Sequence, residues 1–268
     1  MQYGMIIDLE RCVGCHACTI ACRAEWEVPV PYQRNWVKRL GPTMTDDGMV
    51  ATYYPGLCNH CEKPPCVDEC PADAVEMTFT DAVSGKTKNM KVAATWKDPF
   101  DGTVQVDKDR CLGCGACADA CPYGARYVNP AQADANSYGK IDKCTYCKPR
   151  VDQGLVPACV LTCVSEARIF GDLDDPKSAV SQYVKNGAKC LEVNGGHIGP
   201  NSRYYGKKKD IALLFADYTP ELADMGSIKR RAMMASMVKP AMNKAKDIGL
   251  LGIAGAMLVK GLSETDDK

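Results

Sequence analysis

Four cysteine quartets constrain this protein more than any other feature of it. The third, Cys111, Cys114, Cys117 and Cys121 followed by Pro122, has the spacing C-x2-C-x2-C-x3-C-P. Three thiolates in so tight a loop reach three irons of one cubane, and the fourth, a helical turn further on, points away to a second. A run of this kind therefore implies a partner run. The first quartet, Cys12, Cys15, Cys18 and Cys22, repeats the spacing. The second, Cys58, Cys61, Cys66 and Cys70, and the fourth, Cys144, Cys147, Cys159 and Cys163, each begin C-x2-C and end C-x3-C.

A slide of 99 residues lays Asp8, Arg11, Gly14, Ala17 and Ala21 on Asp107, Arg110, Gly113, Ala116 and Ala120, with all four cysteines in register. A slide of 93 lays Cys66, Val67, Cys70 and Ala74 on Cys159, Val160, Cys163 and Ala167. These are internal duplications, too few in copies for a solenoid. Gly14 and Gly113 suit a loop that turns backbone N–H groups toward sulfur, which glycine permits at low steric cost. Pro149 to Pro157 lengthens the fourth run and reads as a surface insertion. Pro71 and Pro122 close two runs, whereas Arg23 and Val164 stand there in the others, a departure that touches the turn and removes no ligand. Zinc sites also use C-x2-C pairs, but four C-x3-C endings, two compact three-ligand starts and the closing prolines favour iron-sulfur. All sixteen positions are cysteine, so four 4Fe-4S clusters are permitted and no missing ligand calls for a three-iron centre.

The 268 residues, 46% apolar and 25% charged, suit a globular protein of one or two domains. A formal net charge of zero and a pI near 6.8 give no support to a nucleic-acid partner. Seventeen cysteines in a secreted protein would suggest disulfides, but sixteen fall in the quartets, so reduced, metal-bound thiols are expected. The opening MQYGMIIDLERC has no basic leader, long apolar core or twin arginine, so no export signal of its own is expected. Within it, Met5 to Ile7 reads as a strand.

The order of the runs, with LCNHCEKPPCVDECP, GTVQVDKDRCLGCGACADACPYGAR and KCTYCKPRVDQGLVPACV followed by EARIFGDLDDPKSAV, carries a family resemblance. Over residues 1 to about 205 the protein resembles the four-cluster electron-transfer (beta) subunits of molybdopterin oxidoreductases. Dimethyl sulfoxide, polysulfide, tetrathionate, arsenate and nitrate reductases form that group. The resemblance implies nested ferredoxin halves, the first run paired with the fourth and the second with the third; spacing alone does not choose this over a sequential pairing. It implies one cluster on Cys12, Cys15, Cys18 and Cys163, and a second on Cys144, Cys147, Cys159 and Cys22. A third falls on Cys58, Cys61, Cys66 and Cys121, and a fourth on Cys111, Cys114, Cys117 and Cys70. Some relatives carry a bulky residue in the third run and hold a three-iron cluster; Cys114 fills that place here. By the same resemblance the first cluster lies nearest a large molybdopterin (molybdenum or tungsten) catalytic subunit, and the fourth nearest an integral-membrane quinone- or haem-binding subunit. Relatives are often exported folded with a signal-bearing partner. GDLDDPKSAVSQ supports the periplasmic face of the membrane, with the cytoplasmic face as the alternative.

Other residues are weaker candidates. His16, His60 and Tyr146 lie inside the ligand loops, where potential tuning or proton relay competes with the favoured reading of a packed or solvated loop side chain. Lys143, Lys148 and Arg150 surround the fourth run, as counter-charges to anionic clusters or as a solvated loop. Cys190, outside every quartet, reads as a small packed residue, and His197 as a loop histidine. No phosphate loop, dinucleotide fingerprint or radical motif is present, so no substrate site is expected. Arg23 to Leu57, with Trp26 and Trp36, faces the catalytic partner by resemblance, or packs on its own domain as an irregular loop. Ala82 to Gly102 reads as a polar insertion.

After Tyr205 the sequence departs from the shortest relatives. Ser227 to Lys246 reads as a basic, methionine-rich helix broken near Pro240. Ile248 to Val259 is an apolar run of twelve residues, short of the roughly 20 that span a bilayer, so no transmembrane span is expected. Lipid, a membrane subunit's helix and the protein's own body are all open as its contact.

The expected architecture is α+β: a first ferredoxin-like half from residues 1–55 and 140–205, a second from 56–139, and a helical tail over 206–268. The expected function is non-catalytic: relay of electrons between a molybdopterin subunit and a membrane quinone or cytochrome partner in anaerobic respiration. A relay in a quinone-linked complex without terminal reductase activity is the alternative. A catalytic or sensory cluster protein would need an open iron position, which full cysteine ligation argues against.

Overall fold

The computed structural model describes residues 1–46, 48–135 and 137–220. The two stretches read in the tail, Ser227 to Lys246 and Ile248 to Val259, lie outside the described residues.

In sequence order come β1 (Tyr3–Asp8), α1 (Ala17–Trp26), β2 (Asn35–Thr45), β3 (Gly48–Leu57), α2 (Pro65–Asp68), β4 (Val75–Thr80) and β5 (Thr87–Val92). There follow β6 (Thr95–Lys97), β7 (Val104–Val106), α3 (Ala116–Asp119), β8 (Arg126–Asn129), β9 (Lys140–Lys143), α4 (Lys148–Val151) and α5 (Ala158–Leu161). The last elements are β10 (Arg168–Asp172), α6 (Ala179–Lys185), β11 (Lys189–Cys190), β12 (Ser202–Tyr205) and α7 (Lys208–Tyr218). The mixture of short strands and short helices is α+β, as expected. Helices of four residues, α2 to α5, have no stability of their own; α2, α3 and α5 are held by the packing of Cys66, Cys117 and Cys159, with Pro65, Ala116 and Ala158 beside them.

The strand read at Met5 to Ile7 is the middle of β1, whose Met5, Ile6 and Ile7 are wholly buried. It is an inner strand of the one four-stranded sheet among the described residues, ordered β10-β1-β12-β11. β1 runs antiparallel to β10, Tyr3 opposite Asp172, and parallel to β12, Met5 opposite Ser202. Both of its faces are covered, which is why its apolar residues run continuously instead of alternating. The other strands form two-stranded ribbons, β2-β3, β4-β5, β6-β7 and β8-β9.

The stretch read as a partner-facing segment or an irregular loop, and the one read as a polar insertion, both contain ribbon strands. Most of Arg23 to Leu57 is the long β2-β3 hairpin, with Asn35 opposite Leu57. The sequence does carry a hairpin signal, Asp47-Gly48, but a bulge between Leu40 and Thr43 breaks the alternation of the strand before it. Ala82 to Gly102 supplies β5 and β6; Phe79 of β4 packs on Trp96 of β6 with ring centroids 5.9 Å apart.

The main apolar cluster joins Met5, Ile7, Leu57, Tyr54 and Tyr204 with Cys18, Cys58, Cys144 and Cys159. Cysteine is therefore core material here. α1 packs against α5 and α2 against α3, so the helical turn that carries the end of the first run meets that of the fourth, and the second meets the third. A buried lock holds a further long-range contact: Arg34 Nε and Nη2 donate to Asp142 Oδ2 and Oδ1 at 2.9 and 2.8 Å. Lys108 Nζ and the Tyr127 hydroxyl also donate to Asp142, at 2.8 and 2.6 Å.

Candidate iron-sulfur ligand sites

The ligand loops share one backbone device. In each run the residue before the second cysteine has positive φ: Gly14 at 66°, His60 at 43°, Gly113 at 65° and Tyr146 at 54°. A left-handed residue turns the next N–H groups to the inside of the loop. After the last cysteine of the fourth run Glu166 likewise has positive φ, 50°, and the next N–H, that of Ala167, donates to Cys163 Sγ at 3.2 Å; Tyr146 N–H donates to Cys144 Sγ at 3.4 Å. At Gly113 only glycine fits, because a Cβ would lie 2.1 Å from the Gly139 carbonyl oxygen.

The structure brings the predicted cysteines together as follows. Cys12, Cys15, Cys18 and Cys163 line one cavity together with Arg168. Cys22, Cys144, Cys147 and Cys159 line another with Trp26 and Arg34. Burial, and after it Cys58, Cys66 and Cys121, push the Cys61 thiol pKa up, so these four are neighbours. Cys111 and Cys117 share an apolar cluster with Cys66, while Cys70 and Cys114 are half-buried. All seventeen cysteines lie among the described residues and none is in a disulfide. Among the described residues no three His, Cys, Asp or Glu side chains close on a single-ion point; the two quartets that line cavities surround a space.

The chemistry of the donor set fits an anionic sulfur-rich group. Burial pushes the thiols of Cys22, Cys117 and Cys121 up to about 12, so these apolar pockets hold neutral thiols unless a cation-rich centre takes the thiolates. Against this stand buried cations without carboxylate partners. Arg126 and Arg168 are 5% and 4% exposed and keep guanidinium N–H groups with no hydrogen-bond partner. Trp26 Nε1–H adds a donor to Cys147 Sγ at 3.3 Å, under the Arg34 guanidinium 4.7 Å from its ring.

Of the packed and the solvated loop side chain, the structure shows the packed one at His60 and Tyr146. They are 0% and 1% exposed and stack on each other with centroids 3.8 Å apart, joining the second run to the fourth. His60 Nδ1 accepts from Val104 N–H at 2.9 Å, and the Tyr146 hydroxyl meets Ser202 Oγ at 2.9 Å. Burial pushes the His60 pKa well down. Lys143 is likewise no solvated loop residue: it is 1% exposed and donates to the carbonyls of Val104 and Cys144. Lys148 pairs with Asp101 at 2.6 Å and Arg150 with Glu25 at 3.2 Å. His16 and His197 are exposed, the latter 3.0 Å from Glu192, and Cys190 is half-buried on β11. Arg126 and Arg168 escaped the sequence reading. Each stands five residues after the last cysteine of its run, a signal that a comparison of the third run with the fourth, offset by 42, exposes.

Residues 49–173 match the 4Fe-4S dicluster domain family, and residues 3–24 the 4Fe-4S binding domain family. The B subunit of tetrathionate reductase from Salmonella typhimurium is 37% identical over 209 residues, 76% of the present protein and 72% of that one. The B polypeptide of polysulfide reductase from Wolinella succinogenes is 38% identical over 185 residues, 68% and 83% of the two proteins. The arsenate respiratory reductase iron-sulfur subunit of a Shewanella strain is 34% identical over 228 residues, 69% and 88% of the two. The protein belongs to this family of reductase iron-sulfur subunits. Like its relatives, this reductase subunit transfers electrons and is not catalytic by itself. Among its described residues no helix is long and apolar enough to cross a membrane.

Proposed function

We propose that this subunit relays electrons through four 4Fe-4S clusters between a molybdopterin catalytic subunit and a membrane quinone or cytochrome subunit. The ligand sets are Cys12, Cys15, Cys18, Cys163; Cys144, Cys147, Cys159, Cys22; Cys58, Cys61, Cys66, Cys121; and Cys111, Cys114, Cys117, Cys70. The observation that carries this reading is the packing of α1 on α5 and α2 on α3, with run-mixed quartets lining common cavities. When bound, such clusters each exchange one electron at a potential set by their surroundings. The protein's part is to supply thiolates, N–H donors and buried cations, and to exclude water.

An entry port is supported at the first quartet. Cys15 is exposed, and Val13 and Ile20 of the first run and Leu161 and Val164 of the fourth are 58%, 61%, 69% and 76% exposed. Exposed apolar side chains on the two runs fit a protein partner, here the catalytic subunit. The outer face of the membrane, reached by export with that partner, is the proposed location, supported by the resemblance alone.

The test is the native complex purified through this protein, with metal quantification and identification of its companions. About sixteen irons per copy, and molybdenum or tungsten in a large partner, are expected. The same iron without either metal would indicate the quinone-linked relay, and zinc or far less iron would overturn four clusters. One site is tested by Gly113→Ala, whose Cβ would strike backbone at Gly139. It is expected to cost about four irons per copy, one cubane. Gly85→Ala, also at positive φ but with nothing within 4 Å, is expected to keep the full iron content.

A further inference from the structure

Arg126 and Arg168 stand at matching positions behind the third and the fourth runs. Each is the first residue of a strand, β8 or β10, five positions after the closing cysteine of its run. Both are buried. A buried guanidinium is charged at any accessible pH and is stable only beside an anion. Among the described residues neither forms a salt bridge. Arg168 leaves Nη1 and Nη2 unpartnered, Arg126 leaves Nε and Nη1, and Arg126 Nη2 donates to the uncharged Thr95 Oγ1, at 3.1 Å.

What surrounds each guanidinium is cysteine from two different quartets. Arg168 lines the cavity of Cys12, Cys15, Cys18 and Cys163. Burial would lower its pKa, and Cys159, Cys18 and Cys144 are among the groups that outweigh burial. Cys159 and Cys144 belong to the neighbouring set. Around Arg126 the counterparts are Cys66, Cys117, Cys58 and Cys121, of which Cys117 belongs to the other set of that half. Each arginine therefore stands where two ligand sets meet.

We propose that Arg168 and Arg126 are potential-setting cations, each shared by the two clusters of its half and aiming its free N–H groups at their sulfur. The inference rests on the four-cluster reading above. Adding an electron makes a cluster more anionic, and a fixed positive charge in a dry site favours that state. The effect must fall on both clusters of one half and spare the other half. A merely structural arginine would have no such pairwise signature.

The experiment is an EPR-monitored redox titration of the native, cluster-loaded complex carrying Arg168→Gln, Arg168→Lys, or the same changes at Arg126. Arg168→Gln is expected to make reduction of two of the four clusters about tenfold less favourable, about 59 mV for one electron, leaving the other two in place. Arg126→Gln is expected to move the complementary two, and lysine at either position to restore most of the shift. Unmoved potentials in a fully loaded variant, equal movement of all four, or equal shifts for Gln and Lys would each overturn the proposal. If a Gln variant fails to load iron, a loaded Lys variant supports the need for charge, and an empty one assigns the arginine to packing and overturns it. Failure of the four-cluster reading shows separately, as an unmodified complex with far fewer than about sixteen irons.

Discussion

Iron removal from the purified complex, by chelation under reductant, is expected to abolish the cooperative melt of this protein and open it to proteases. Ten of the sixteen cysteines of the four runs are buried, and four of them belong to the main core cluster. Helices α2, α3 and α5 are single turns whose buried residues are one cysteine each with a proline or an alanine. Structural metal sites contribute on the order of 10–16 kcal/mol each in small zinc domains, against a total stability of about 5–15 kcal/mol for a typical domain. Loss of several metal centres therefore exceeds what the remaining packing can hold. Two buried arginines make the apo state worse. Without an anion beside them, Arg126 and Arg168 keep partnerless N–H groups, a cost of several kcal/mol per buried charge. The check is calorimetry and limited proteolysis of the iron-free protein; an apo form melting cooperatively within a few degrees of the loaded one would refute the expectation.

The second large effect is expected at Asp142. This carboxylate, with a side chain 3% exposed, accepts from Arg34 on both oxygens and from Lys108. Asp142→Asn removes the charge and leaves Arg34, 8% exposed, without its counter-ion, an expected loss of about 3–5 kcal/mol. Unfolding in denaturant, followed by loss of visible absorbance, should accelerate by about 100-fold or more. The double replacement Arg34→Met with Asp142→Leu should recover much of that loss, since a buried pair replaced by apolar groups is often near neutral. An additive double mutant would show that the pair is not coupled. The same lock gives a pH dependence. Burial raises the Asp142 pKa, but Arg34 and Lys108 outweigh it and hold the carboxyl below the usual range. Its contribution is thus complete above the unfolded carboxyl pKa of about 3.9 and lost as pH falls through the lower folded value. Asp142→Asn should flatten the acid limb of the stability curve.

The cysteine runs, the duplication and the family were legible in the sequence because iron-sulfur motifs are written locally, in cysteines a few residues apart. The strand at Met5 to Ile7 was legible for the same reason, as a short apolar run just before a ligand loop. What lay beyond reach of spacing was every contact made across the fold. Arg34 and Asp142 are 108 residues apart, and no periodicity links them. His60 and Tyr146 each looked like a polar or aromatic loop residue in its own run, and only the approach of two runs stacks them in a dry site. The β2-β3 hairpin hid behind a bulge. Arg126 and Arg168 read as ordinary charged residues after a turn until burial removed water from around them. The sequence by itself determined which atoms can bind metal, since that is a property of side-chain type and short backbone reach. Tertiary structure decided which of them share a cavity and which charges stand beside them, because burial and electrostatic environment are sums over segments distant in the sequence.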